Sequence, residues 1–335
     1  TGDLAALAGV DYREIRESRS EYNEKYAGII FNGDPNDPRS TGVSDDFIQA
    51  YSFRVILKNY TAYGKVAPQI LKPADYDTNL KFYQLSNANC APTQTSNGGW
   101  QSFLPNNKAN MNNNYGTDIF GFNLSYNVLN ANQKDEIIQK AKNKAIGFVY
   151  YLQNVIGCKD WGIVDDEFST SDGLPIQMYI REGRRIDGVY KMTEKDILAD
   201  RTKIDAIAVG DFPIDSHTYK YVGGIGLEGN FIAFNPPFHI PYNALIPKNV
   251  DGLIVTSAIS STHVAYGSIR MEPLRMLMGQ VAGTAAHFAI IENIEIRNVD
   301  VNRLQLSLLD QKDAICSFDD VTPSHWAFKY INMIG

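Results

Sequence analysis

The densest set of reactive side chains is Ser260-Ser-Thr-His-Val-Ala-Tyr-Gly-Ser-Ile-Arg270. It gathers hydroxyls, the His263 imidazole, the Tyr266 phenol and the Arg270 guanidinium within eleven residues. Such groups donate, accept or relay protons. A ligand resting against the backbone N–H groups of a helix start here would be favoured if anionic. The plainer reading is a capped loop with a structural histidine. A second cluster pairs Asp165-Asp-Glu-Phe168 with Arg181-Glu-Gly-Arg-Arg185. Arg181, Arg184 and Arg185 could grip an acidic substrate, because a guanidinium matches a carboxylate in two bonds. An internal ion-pair network would look the same in the sequence.

Other patterns carry less. Gly224-Ile-Gly226-Leu-Glu-Gly229 fits a dinucleotide loop in letters only. Such a loop needs a helix after it, and Pro236-Pro237 follow within a few residues. We read a plain glycine turn. His217 and His239 sit in apolar surroundings and read as core histidines. No HExxH or CxxC occurs, so no metal site is expected. Cys90, Cys158 and Cys316 lie far apart and suggest no disulfide framework.

The elements that must position these groups follow from periodicity. Residues 3–9 read as a short helix stopped by Gly9, and 32–45 as a loop. Residues 47–58, 174–181, 204–210 and 251–257 read as strands. Residues 86–118 are rich in turn formers and read as irregular. Ile137, Ile138, Ala141, Ala145, Phe148, Val149 and Leu152 recur at helical spacing, with Gly157 as the stop. Residues 272–291 read as a long helix whose small residues, Gly279 among them, permit close approach. Strand, loop and helix over 251–291 suit the edge of a nucleotide-binding sheet.

Composition narrows the partners. The 335 residues are 44% hydrophobic and 21% charged, enough for a sizeable core. A net charge of −7 disfavours nucleic acid and anionic membrane surfaces. No apolar run reads as a membrane span, and no signal peptide is visible.

Several blocks, in order, resemble a bacterial family of FAD-dependent oxidoreductases with the glutathione-reductase type of FAD fold. They are TGDLAALAGV, YREIRESRSEY, AGIIF, FIQAYSFR, LPNNK with Asn110 and Asn112, DEF, YIREGRRIDGVYKMTEKDI, AIAVGDFPIDSH, IPYNALIPKNVDGLIV and ISSTHVAYGSIRMEPLRMLMGQVAGTAA. The resemblance implies an α/β (α+β) chain. A partial FAD-binding Rossmann-like domain would stand beside a mixed β-sheet substrate domain. Residues 1–10 would end the first FAD segment, 11–249 would form the substrate domain, and 250–310 would return to the FAD domain. Ser257, Ile259, Ser260, Gly267, Ser268 and Gly279 would touch FAD. His263, Arg270 and Tyr266 would serve its reactive face. The flavin would take hydride or electrons from an organic, small-molecule or carbohydrate-derived substrate. Two departures stand out. Ser257-Ala258 occupies the family's Gly-Arg pair, and the family's first nucleotide-binding half is not among these residues.

The tail resembles the start of an S-layer homology repeat over residues 314–335, through Phe318-Asp-Asp-Val321 and His325-Trp-Ala327. That implies docking on cell-wall polysaccharide and an extracellular, cell-surface location. The rival functional reading is a non-catalytic surface or carbohydrate-binding protein that kept the fold and lost the cofactor.

Overall fold

The computed structural model describes residues 2–90, 103–112, 115–121, 126–201, 203–311, 313, 315 and 325–334. The chain has an α/β fold of helices and small antiparallel sheets. It divides into two compact units. One comprises Thr1–Ile48, Glu182–His217 and Val222–Gly335; the other comprises Gln49–Arg181 and Thr218–Tyr221.

The second unit is built on a four-stranded sheet in the order Phe103–Leu104, Lys108–Met111, Val55–Asn59, Trp161–Ile163. Leu57 lies opposite both Ala109 and Ile163. Val55 and Leu57 are fully buried, as the inward face of a half-buried strand requires. The expected strand at 47–58 is divided, with Tyr51–Ser52 pairing Asp118–Ile119 instead. The helix Ala131–Tyr151 opens on a capping box in which Asn130 and Gln133 satisfy each other's backbone N–H groups. It buries Ala141, Ala145, Phe148 and Val149, the expected face. A π-helical turn, Leu152–Ile156, extends it to Gly157, whose φ of 95° ends the helix.

Three expectations in this unit are corrected. Residues 174–181 form no strand. Only Tyr179 bridges Ser52, and Pro175 next to Leu174 cannot donate to a ladder. Among the described residues of the stretch 86–118, part is regular. Phe103–Leu104 and Lys108–Met111 pair as a hairpin, and Asn106 and Asn107 adopt the left-handed φ values, 62° and 51°, that a tight turn needs. Cys90 and Cys158 form a disulfide with Cα atoms 5.1 Å apart.

The first unit holds an extensive apolar core. The helix Glu272–Glu292 buries Leu274, Met278, Val281, Ala285 and Phe288, packing on the strand Ala206–Gly210. That strand, expected at 204–210, pairs with Phe238–Pro241. By length and composition alone the helix could cross a membrane, a test that the core helices of soluble proteins also pass. The short helix Asp3–Leu7 forms as expected, with Gly9 at φ 82°. Residues 251–257 form no strand: Gly252 turns at φ 67°, and Val255 donates to the Leu245 carbonyl outside any ladder. In the glycine-rich 224–229 segment the Ile225 amide donates to the Val222 carbonyl, closing a turn with Gly224 at φ 77°. The strands Gly226–Glu228 and Phe231–Ala233 follow, not a helix.

Candidate functional site

The segment 260–270 is not a loop. Thr262 caps a helix, His263–Ile269, by accepting from the Ala265 N–H at 3.3 Å. A second N-terminus begins at Glu272, with Met271 as its cap and Pro273 in its first turn. Gly267 therefore lies inside the first helix, not at the start of the second. A side chain there would meet the Asp215 carbonyl at 3.2 Å, so glycine permits the close approach.

The helix His263–Ile269 is buried along its whole length, and buried polar groups need partners. The His263 backbone N–H donates to Glu17 Oε2 at 2.9 Å, and its Nδ1 lies 2.6 Å from the same oxygen. Arg185 Nη2 donates to Glu17 Oε1 at 3.1 Å and to the Ile15 carbonyl at 2.7 Å. Arg185 Nη1 donates to Glu182, and Nε donates to the Ser261 carbonyl at 3.2 Å. Burial alone would raise the Glu17 pKa, but Arg185 and His263 outweigh it and hold the carboxyl well below the usual range.

Glu24 sits at the other side of the cap. Its Oε1 accepts from Thr262 Oγ1 at 2.6 Å and from the Glu194 N–H at 2.7 Å. Oε2 is buried without a hydrogen-bond partner. Burial pushes the Glu24 carboxyl up to about 7, against the pull of His263 and Thr262.

The remaining expected residues have other partners. Arg270 Nη2 donates to Asp215 Oδ2 at 2.8 Å. The Tyr266 hydroxyl donates to the Ser257 carbonyl at 2.9 Å and accepts from Arg275 Nη2 at 2.7 Å. Ser260 Oγ accepts from the Gly188 N–H at 3.0 Å, and Ser268 Oγ donates to the Phe212 carbonyl. Ile259 is buried and Ser257 exposed. Gly279 lies on the exposed face of its helix, where an added Cβ would meet nothing within 4 Å.

The three arginines pair with different acids. Arg184 pairs with Asp3 and Glu14, and Arg185 with Glu17 and Glu182, all within the first unit. Arg181 belongs to the second unit, where it meets Asp118 Oδ1 at 2.9 Å and Asn112 Oδ1 at 2.9 Å. Asp165 and Asp166 pair with Lys58 there, and Asp166 and Glu167 with Lys108.

Sequence reading missed Glu17 and Glu24. They lie about 240 residues before Thr262 and His263, and only the block YREIRESRSEY drew attention to one of them.

The family model described as FAD dependent oxidoreductase matches residues 1–308. The chain belongs to this family. FAD is the cofactor of the family, and oxidation–reduction is its chemistry. No curated protein and no solved structure gives a significant match to the chain. Two features of this oxidoreductase chain fit a bound cofactor. Ser261 Oγ is buried with no hydrogen-bond partner, beside Ser260 and the Thr262 cap. The exposed face at Gly279 and Gly283 leaves backbone open to close approach. Among the described residues no group of three or more His, Cys, Asp or Glu could hold a metal ion.

Proposed function

We propose that this chain belongs to an extracytoplasmic flavin oxidoreductase that moves hydride or electrons from an organic substrate to FAD. The observation that carries the reading is the family match over residues 1–308, which spans the buried His263–Ile269 helix. When bound, FAD supplies the redox chemistry. The chain's own residues would position it. Ser257, Ile259, Ser260, Gly267, Ser268 and Gly279 are the proposed cofactor contacts. His263, Arg270 and Tyr266 are the proposed groups at the reactive face. The functional division is proposed as residues 1–10 and 250–310 for the FAD domain, Rossmann-like in the family, and 11–249 for the substrate domain. That division cuts across the first compact unit.

The carboxylates around Arg184 and Arg185, and Asp118 on Arg181, support a structural duty for these arginines over capture of an acidic substrate. The Cys90–Cys158 disulfide supports an oxidising, extracytoplasmic compartment. Docking on cell-wall polysaccharide rests on the tail. Phe318–Val321 lie outside the described residues, while Trp326 is 81% exposed ahead of the helix Phe328–Ile334.

The test is the visible spectrum of the protein expressed from its full reading frame. Retained yellow absorbance, with FAD released on denaturation, is the expected result. A colourless protein that fails to take up added FAD would replace this reading with the non-catalytic surface protein.

A further inference from the structure

The cluster behind His263 has an unusual charge balance. Glu17, Glu24, Glu182 and Glu194 lie near it; Arg185 pairs with Glu17 and Glu182, His263 meets Glu17, and Lys25 acts on Glu194. Arg13 approaches Glu17 only from the rim, at 3.9 Å. Glu194 accepts from the Tyr26 N–H at 2.8 Å, and burial raises its pKa. Each carboxylate in such a place needs a donor. Glu17 has Arg185 on one side and His263 on the other.

The imidazole geometry allows two proton placements. Nδ1 lies 2.6 Å from Glu17 Oε2 and 3.1 Å from the Glu17 backbone N. If Nδ1 were bare, its lone pair would face a carboxylate oxygen at 2.6 Å. That contact is repulsive, and the weaker amide contact would not offset it. With the proton on Nδ1 the same contact is a charge-assisted hydrogen bond. The His263 backbone N–H reaches the same oxygen, so one carboxylate fixes both ends of the residue.

We infer that Glu17 is the positioning residue for His263, holding the ring through Nδ1–H while Arg185 holds Glu17. The inference deepens the proposed role of His263 beside the flavin and rests on it for its functional meaning. The device is the familiar one by which a carboxylate on one ring nitrogen sets the tautomer and so the chemistry of the other. Arg185 acts at one remove: it bonds Glu17, the carbonyls of Glu14 and Ile15, and the Ser261 carbonyl, tying the 14–17 segment to the approach to the helix.

The test uses the chain labelled with 15N-histidine, without added FAD. The five histidines are separated by comparing spectra with those of His263→Gln. The expected result is a directly bonded, strongly deshielded proton on His263 Nδ1. In Glu17→Gln the preference for that placement falls at least ~10-fold, because the charged acceptor is gone. Glu17→Asp, which keeps the charge, retains more of the preference. A bare Nδ1 with the proton on Nε2 in the wild-type protein overturns the inference, whether or not any variant folds. So does a Glu17→Gln protein whose His263 signals are unchanged. FAD is then titrated into both proteins expressed from the full reading frame. Failure to bind removes the flavin reading but leaves the Nδ1 result standing, so the two failures are distinct.

Discussion

Glu24 and Lys144 are buried titratable groups whose pKa values are displaced in opposite senses, one in each unit. Glu24 rises to about 7 through burial. The folded state then keeps its proton where the unfolded chain has lost it. Stability from this group is full below pH about 4.5 and is lost as pH rises through about 7. Glu24→Gln keeps an acceptor for Thr262 and cannot ionise. It should match the wild type near pH 4.5 and exceed it by about 1–3 kcal/mol at pH 8, read by denaturant unfolding. Equal curves at both pH values would show that burial does not raise the Glu24 pKa. Lys144 falls to about 7, because burial disfavours the ammonium despite Asp118. Its Nζ donates to the Asp118 carbonyl at 2.5 Å and lies 4.6 Å from the Phe82 and Phe120 rings. Here the folded state binds fewer protons. The penalty is full below pH about 7 and fades as pH climbs toward the ordinary lysine value. Lys144→Met should therefore stabilise the second unit by about 2–4 kcal/mol at pH 6 and far less at pH 10. A loss of stability at pH 6 would mean the carbonyl bond and ring contacts outweigh the desolvation. Neither group drew attention in the sequence, since burial is a property of the folded contacts.

At the scale of elements, what was legible had local causes. The helix around Ile137–Leu152 could be read because its apolar spacing, its cap and its glycine stop agree. The strand at 206–210 was visible for a similar reason. The runs at 174–181 and 251–257 misled because apolar runs are buried by packing as readily as by a ladder. The helix His263–Ile269 was hidden because hydroxyl-rich sequence suits both a loop and a capped buried helix. The hairpin at 103–111 needed two asparagines in left-handed geometry, which composition shows only as disorder-prone letters. The long helix offers a test that separates stability from cofactor contact. Gly279 is exposed within it, and an added methyl meets nothing within 4 Å. Gly279→Ala should raise the stability of the chain by about 0.5–1 kcal/mol, since alanine is the better helix former. If Gly279 touches FAD, the same change weakens FAD retention in the full-reading-frame protein. Stabilisation with undiminished FAD binding would remove Gly279 from the proposed site.

At the scale of the whole molecule, the disulfide is the feature that sequence spacing could not supply. Three cysteines give no pairing pattern, and only the fold brings Cys90 beside Cys158. Both lie in the second unit, where Cys158 follows the π-helical turn and its N–H donates to the Leu152 carbonyl at 2.9 Å. The bridge closes a loop over a sequence separation of 68. Restricting the unfolded chain by a loop of that length contributes about 4 kcal/mol on the entropic account. The chain divides into two compact units, and unfolding need not follow a single transition. Reduction, or Cys158→Ser, should therefore weaken hydrogen-exchange protection in residues 49–181 and leave the helix Glu272–Glu292 protected as before. Equal loss of protection in both units would show that they unfold as one. No loss in either would show that the cysteines are not joined, and would withdraw the disulfide's support for an oxidising compartment.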